Sequence, residues 1–329
     1  MAPDFSMTRR RFLALLGAGA LWGLLPGCRR NVAPLTVAAH IWPGYEFMFL
    51  AQREGWLDAK QVTLRETPSA SESLRALSGG EVDAAALTLD EVLRARAQGV
   101  PMSVVLVFDI SAGADVVLAR PDIRELKQIK GRRIGVEQGA LGALMLVKAL
   151  QAAGVARDEV QVVPLTIDQH EAAWQRGDVD VLVCFPPVSS KLLAEGAVNL
   201  FDSRQLPDTI VDVLAVRQDV IEQKQDAIRH LIASHLRGRS HFQHSPQDAS
   251  YRMARHLGLR AEDVTASYKG MVLPDLESNR RLLGGDKPVL LDSAHMLSAV
   301  MFKEGLLAQP NGLAALLYAD CVPVSEYES

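Results

Sequence analysis

The sequence has 329 residues, 48% of them hydrophobic, and a formal net charge of -4 at neutral pH. A chain of this size buries a large core, and its length alone predicts two domains. Its acidic balance argues against nucleic acid as a partner, because neutralising phosphates takes a basic face.

At the N-terminus, Thr8 and three consecutive arginines, Arg9, Arg10 and Arg11, stand ahead of an uncharged run that reaches Gly27. A twin arginine before a short apolar core predicts a twin-arginine export signal over 1–27. The run is shorter than the roughly 20 residues a membrane-spanning helix needs. It ends in Leu24-Leu25-Pro26-Gly27-Cys28, which resembles a lipobox. Cys28 is therefore the expected lipid attachment point and first residue of the mature chain, with 28–34 as a tether. A plain cleavable signal with an incidental cysteine, or an uncleaved anchor, are the alternatives. The expected location is the periplasmic or extracytoplasmic face of a bacterial membrane, reached through a lipid anchor. Without the segment before Cys28 the charge falls to -6, since that segment carries Asp4 against its three arginines. Only Cys184 and Cys321 then remain. They make no disulfide framework and no zinc pattern, so neither a metal nor a cofactor is expected.

The next segments repeat. Gly80-Glu81-Val82-Asp83 and Gly177-Asp178-Val179-Asp180 stand 97 positions apart. The same offset, without a gap, lays 35–39 on 132–136, 45–57 on 142–154 and Ser71 on Asp168. Each copy reads strand, glycine-containing turn, amphipathic helix, strand, helix, Gly-acid-Val-Asp, strand. The apolar runs 37–39, 62–64, 84–87 and 104–107 predict strands buried on both faces of a parallel sheet. Ser69 with Glu72, and Thr88 with Glu91, have capping-box spacing. Gly80 and Gly177 are placed to end helices in the left-handed conformation. The expected fold class is therefore α/β, with two similar doubly wound lobes and right-handed crossovers.

In such sheets ligands lie beyond the carboxyl ends of the strands, where turns and helix N-termini converge. After the first strand, Trp42 and Tyr45 bracket a turn at Pro43-Gly44, which offers flat walls and close backbone approach. Later turns supply Ser69 and Ser71, then Thr88 and Asp90, and in the second copy Glu137, Gly139, Ala140 and Phe185. The small residues around Gly139 leave backbone N–H groups open at a helix start, where an anion can be held without arginine. The candidate cleft is rich in acid, with Glu46, Asp90, Asp109, Asp115, Glu137 and Asp212 near strand ends, and poor in lysine and arginine. A neutral, zwitterionic or amine-bearing ligand suits it better than an anion. The bland reading of Asp90 and Glu137 is that acids merely decorate helix starts. His241 and His244 are read as a solvated helix end, and Trp174 as core.

Several ordered motifs resemble the nitrate/taurine/sulfonate-type (NitT/TauT) substrate-binding proteins of ABC transporters. They are Trp42-Pro43-Gly44-Tyr45-Glu46, Glu54-Gly55-Trp56-Leu57, Gly80 to Ala86, Ser111-Ala112-Gly113-Ala114-Asp115 and Phe201-Asp202-Ser203. The resemblance implies the type II periplasmic-binding-protein fold, two lobes joined by a two-segment hinge. Lobe 1 would comprise 35–112 with 211–329 and lobe 2 113–210, with crossings near 110–116 and 208–213. It further implies a monomeric solute-binding protein, not an enzyme, that closes on a small-molecule ligand and delivers it to the permease and ATPase of an importer. One departure is Phe185-Pro186-Pro187, where many relatives place a glutamate before the proline. Two rival readings stand: a periplasmic ligand sensor for a membrane-bound kinase or cyclase, and an enzyme on the same fold of the chorismate-dehydratase or pyrimidine-synthase kind. No nucleophile elbow, phosphate-gripping loop or zinc helix supports the latter.

Overall fold

The structure, a computed structural model, describes residues 33–139, 141–310 and 312–323. The export signal, Cys28 and Ala140 lie outside the described residues.

Two mixed β-sheets with helices on their faces make up the chain from Pro34 onward. The first sheet opens with β1 (Leu35–Ala39), β2 (Val62–Glu66) and β3 (Ala84–Thr88), which run parallel with β1 in the middle. Between them lie a 3-10 turn at Pro43–Tyr45, α1 (Glu46–Arg53) and α2 (Ala70–Ser78); α3 (Leu89–Ala97) then leads to β4 (Met102–Ser111). The chain next enters the second sheet through β5 (Val116–Ala119). It continues as β6 (Arg133–Val136), α4 (Leu141–Ala153), β7 (Gln161–Pro164), α5 (Ile167–Arg176), β8 (Val181–Cys184), α6 (Val188–Ala194) and β9 (Val198–Asp202). It returns through β10 (Val211–Arg217). The remaining elements are α7 (Ile221–His244), α8 (Pro246–Leu257), α9 (Ala261–Ser267), β11 (Met271–Val272), α10 (Leu276–Leu283) and α11 (Val289–Lys303).

The strand orders are β11-β4-β10-β3-β1-β2 and β7-β6-β8-β5-β9. Shifting the first sheet by 97 residues turns β2, β1, β3 and β4 into β7, β6, β8 and β9, so the sequence repeat is a repeat of sheet order. Even single bonds recur. The Thr36 N–H donates to Asp83 at 2.8 Å, and the Arg133 N–H donates to Asp180 at 3.0 Å, both residues displaced by 97. Helix ends agree as well, with Gly80 and Gly177 at φ +73° and +76°.

The expectation of parallel sheets needs correction. β10 runs antiparallel to both β3 and β4, and β5 runs antiparallel to both β8 and β9. In each sheet the strand that brings the chain across from the other sheet is the reversed one. An apolar run buried on both faces looks the same in either direction, so its composition carried no sign of this.

The first sheet is covered on both faces. Val37, Ala39, Phe108 and Leu214 pack with Tyr45 and with Leu231 of α7, while Ala38, Ala85, Val104 and Val107 pack toward Leu93 of α3 and Met301 of α11. Trp174 is core, as its helical spacing predicts, with the Arg120 guanidinium 4.2 Å above its ring. His241 is not a bare solvated end: Asp248, seven residues on, meets its Nε2 at 2.8 Å.

The two strand-to-strand crossings are bonded to one another. Ser111 and Ser203 share a hydroxyl hydrogen bond at 2.7 Å, the Gly113 N–H donates to Ser203 at 2.6 Å, and the Ser203 N–H donates to the Asp115 carbonyl at 2.9 Å. The Ala112 N–H adds a bond to the Gly270 carbonyl at 2.6 Å. Gly270 sits at φ +86°, and a Cβ there would lie 2.7 Å from the Gly113 carbonyl carbon. Only glycine fits that close approach.

Candidate functional site

A narrow cleft, with a cavity volume of about 30 Å³, lies between the carboxyl ends of the two sheets. One wall carries His40 and Trp42 after β1, Ala70 at the start of α2, Thr88 and Glu91 at the β3–α3 junction, and Asp212 of β10. The other carries Asp115 from the first crossing, Glu137 after β6, Leu141 and Met145 of α4, His170 of α5, and Cys184 and Phe185 at the end of β8. The repeated unit explains the arrangement, since equivalent strand ends and helix starts face each other across it.

Of the expected ligand residues, Trp42, Thr88, Asp115, Glu137, Phe185 and Asp212 line this cleft. Others are near it in a different role. Gly44 lies under Trp42, where a Cβ would fall 1.8 Å from Asp109 Oδ2. The Trp42 indole N–H donates to that same oxygen at 2.8 Å, so glycine is what lets the bond cross the backbone. Tyr45 is fully buried, with its hydroxyl bonded to Asp212 and its ring edge-on to His40 and Phe108. Ser69 is buried and caps α2 by accepting the Glu72 N–H at 3.3 Å. Asp90 is buried in the first turn of α3, 3.9 Å from Arg94. Glu46, another acid near a strand end, is away from the cleft and joined to Arg53 and His256.

Ser71, Glu137 and Gly139 tie the two walls together. Glu137 accepts the Ser71 N–H at 2.9 Å from the first turn of α2 and the Ile167 N–H at 3.3 Å from the first residue of α5. A carboxylate at two helix N-termini is favoured by both dipoles. A Cβ on Gly139 would sit 2.9 Å from the Ser71 hydroxyl, which accounts for the small residue there. Phe185 makes the second bridge, lying 5.2 Å edge-on to Trp42 and 5.7 Å from His40.

Sequence reading missed His40, Glu91, Met145, His170 and Cys184 as cleft residues. Glu91 has a sequence signal, its place three residues after a strand-end threonine, but that spacing describes a helix cap equally well. It does cap, accepting the Thr88 N–H at 2.8 Å through Oε2, while its Oε1 has no hydrogen-bond partner.

The electrostatics follow from burial without cations. Among the described residues no lysine or arginine lines the cleft. Burial, reinforced by neighbouring carboxyl groups, pushes Glu91 up to about 8 and Asp109 and Asp115 up to about 7. Asp212 is raised well above the usual carboxylate range by burial and then by Asp109. Burial lowers the His40 and His170 imidazoles to about 4, so both are neutral at pH 7. Cys184 is pushed well above the ordinary thiol range by burial and by Asp115. A buried group sheds its charge when nothing compensates it. Among the described residues no group of three or more His, Cys, Asp and Glu side chains is arranged to hold a metal ion. The cleft thus sets an aromatic and aliphatic wall against buried carboxyl, imidazole and hydroxyl groups that can hydrogen-bond a small molecule.

Comparison with known proteins agrees with this architecture. The taurine-binding periplasmic protein of Escherichia coli K12 is 26% identical over 246 residues, covering 72% of this chain and 77% of that protein. The alkanesulfonate-binding protein SsuA of Xanthomonas axonopodis pv. citri, solved bound to MOPS, superposes with a TM-score of 0.75 at 17% identity. That alignment covers 88% of this chain and 99% of that one. The desulfurization enzyme DSZB also shares the fold, with a TM-score of 0.62 at 17% identity over 88% of this chain and 97% of its own. The architecture is the periplasmic-binding-protein fold that the sequence motifs imply. The profile of the NMT1-like family matches residues 30–257, and the chain belongs to that family.

Proposed function

We propose that this chain is an extracytoplasmic solute-binding lipoprotein that closes its two α/β lobes on a small organic solute and presents it to an ABC importer. The lobes are 35–112 with 211–329 and 113–210. Their hinge is the pair of crossings bonded through Ser111 and Ser203. The observation that carries the reading is the cleft itself, lined from both sheets and bridged by Glu137 and Phe185. Contacts made only when the lobes meet are what couple ligand binding to closure. The likeness to a taurine-binding periplasmic protein supports the delivery role. Cys28, in its lipobox-like setting, would tether the protein to the membrane.

An enzyme on this fold is the competing class; Cys184, the cleft's thiol among the described residues, does not favour nucleophilic catalysis. Cys184 is held away from the thiolate, which is the reactive form. A sensor that signals to a membrane kinase or cyclase needs the same closure and differs only in what it docks.

The test is small-angle scattering with and without ligands found by thermal shift. Compaction on binding with the ligand recovered unchanged is expected. Chemical conversion of the ligand, seen by mass spectrometry, would overturn the binding role. For the anchor, the intact mass of membrane-extracted protein should show a diacylglyceryl cysteine that Cys28→Ala loses.

A further inference from the structure

The cleft raises a question of charge that the fold leaves open. An anion enclosed there needs cations or free backbone N–H groups. Among the described residues no lysine or arginine lines the cleft. Two helix N-termini facing it, those of α2 and α5, already have N–H groups filled by Glu137, the protein's own anion. Among the described cleft-lining side chains, the buried atoms without a hydrogen-bond partner are a carboxyl oxygen each of Asp115 and Glu91, the Thr88 hydroxyl and Nδ1 of His40 and His170. Asp115 is 3% exposed and Glu91 1% exposed, and Oδ2 of the first and Oε1 of the second bond to nothing. His40, 5% exposed and lining the same cleft, has a free Nδ1.

We propose that the cleft takes a small organic cation, a protonated amine or amidine on a partly apolar skeleton, with its N–H donors on Asp115 and Glu91 and its skeleton against Trp42, Phe185 and Met145. This rests on the solute-binding reading and names the ligand's charge. The groups facing Asp115 make it a cation trap that stays quiet when empty. Asp90 of α3, Asp109 of β4, Asp212 of β10 and Cys184 of β8 surround it, and the Arg94 guanidinium approaches Asp90 at 3.9 Å without hydrogen-bonding to it. Crowded and buried, the carboxyl groups hold protons while the cleft is empty. An arriving ammonium or amidinium supplies the missing counter-charge, and protons leave to solvent.

The experiment is native mass spectrometry on the full chain in mild detergent, against a set matched in skeleton and differing in charge. Benzylamine and benzamidine are the cations, benzenesulfonate and benzoate the anions, and benzyl alcohol the neutral. Butylamine, butanesulfonate and butanol repeat the comparison on an aliphatic skeleton. Hits are then measured by calorimetry near pH 7 in two buffers of different ionisation enthalpy. Binding of the cations alone, with proton release on binding, is the expected result. Asp115→Asn and Glu91→Gln should each weaken it roughly 30-fold or more, as loss of one partner of a buried charge pair does. An unchanged or raised melting temperature shows that these variants still fold. Binding of an anion or the neutral in preference overturns the inference and leaves solute binding standing. Conversion of a bound cation to product overturns the solute-binding reading instead, and no hit in any class overturns the inference.

Discussion

Trp42 and Asp109 are joined by a 2.8 Å hydrogen bond that crosses the backbone of Gly44. That relationship gives the Trp-Pro-Gly-Tyr motif a physical meaning. The glycine makes room, the indole donates down into the sheet, and the ring face is left to the cleft. Tyr45 points the other way, with its ring in the core and its hydroxyl on Asp212 at the cleft's edge. Gly44→Ala would drive a methyl group into Asp109 Oδ2 and Trp42 Nε1, which lie 1.8 and 2.6 Å from its Cβ. It should therefore cost about 2 kcal/mol or more and displace the indole. Urea unfolding and Trp fluorescence check it, and wild-type stability would refute this account of the motif.

The bridging role of Glu137 gives a second expectation. Its two carboxylate oxygens serve donors from different lobes, Ser71 and Ile167. A glutamine has one acceptor oxygen and so can satisfy only one of them. Glu137→Gln should shift the molecule toward the open form and weaken solute binding by about tenfold, the equivalent of one lost hydrogen bond of about 1.4 kcal/mol. Scattering should show a larger radius of gyration for the variant. A variant as compact as the parent would mean that the bridge does not govern closure.

The buried acids set a pH dependence with a definite sign. Glu91, Asp109 and Asp115 titrate at about 8, 7 and 7 in the folded chain, above the ordinary values of 4.5 and 3.8. The folded state therefore binds protons more tightly than the unfolded one. Their contribution is complete below about pH 4 and is lost as pH rises through about 7 to 8. Taken singly, each acid costs the ligand-free protein roughly 3 kcal/mol between about pH 5 and about pH 8. The buried His40, His170 and His235 oppose this by roughly 2 kcal/mol each, because their lowered values favour folding as pH rises, so a net fall of a few kcal/mol is expected. Asp115→Asn should flatten that fall. A melting temperature that climbs steadily across the same interval would contradict the assignment.

Much of this was legible in the sequence, for reasons that differ by element. The repeat could be read because each copy is one supersecondary unit with the same punctuation, down to Asp83 and Asp180 at its end. The cleft's position followed from strand ends and helix starts. The reversed strands β5 and β10 could not be read, because burial on both faces erases direction. Tyr45 was expected as a ligand wall and lies in the core, because the sequence of a tight turn does not say which way its second aromatic residue turns. His40 and His170 carry no sequence signal because a lone histidine has no pattern, and only the packing of the two walls makes them neighbours.

The repeat itself can be tested through its paired aspartates. Asp83 accepts from the Thr36 N–H and hydroxyl, each at 2.8 Å, and from the Lys224 ammonium at 2.6 Å. Asp180 accepts from the Arg133 backbone and from its guanidinium at 2.7 Å. The bonds are equivalent but the cations are not: the Lys224 side chain is 10% exposed and that of Arg133 is 41% exposed. Removing Asp83 strands a nearly buried charge whose other acceptor is the Pro34 carbonyl, whereas Arg133 returns to water. Asp83→Ala should therefore cost about 2–3 kcal/mol, and Asp180→Ala much less, as solvated pairs do. Adding Lys224→Met to Asp83→Ala should recover part of the loss, because the stranded charge goes with it. Urea unfolding of the three variants decides the matter, and equal losses at Asp83 and Asp180 would show that the shared strand geometry, not the cation, sets the cost.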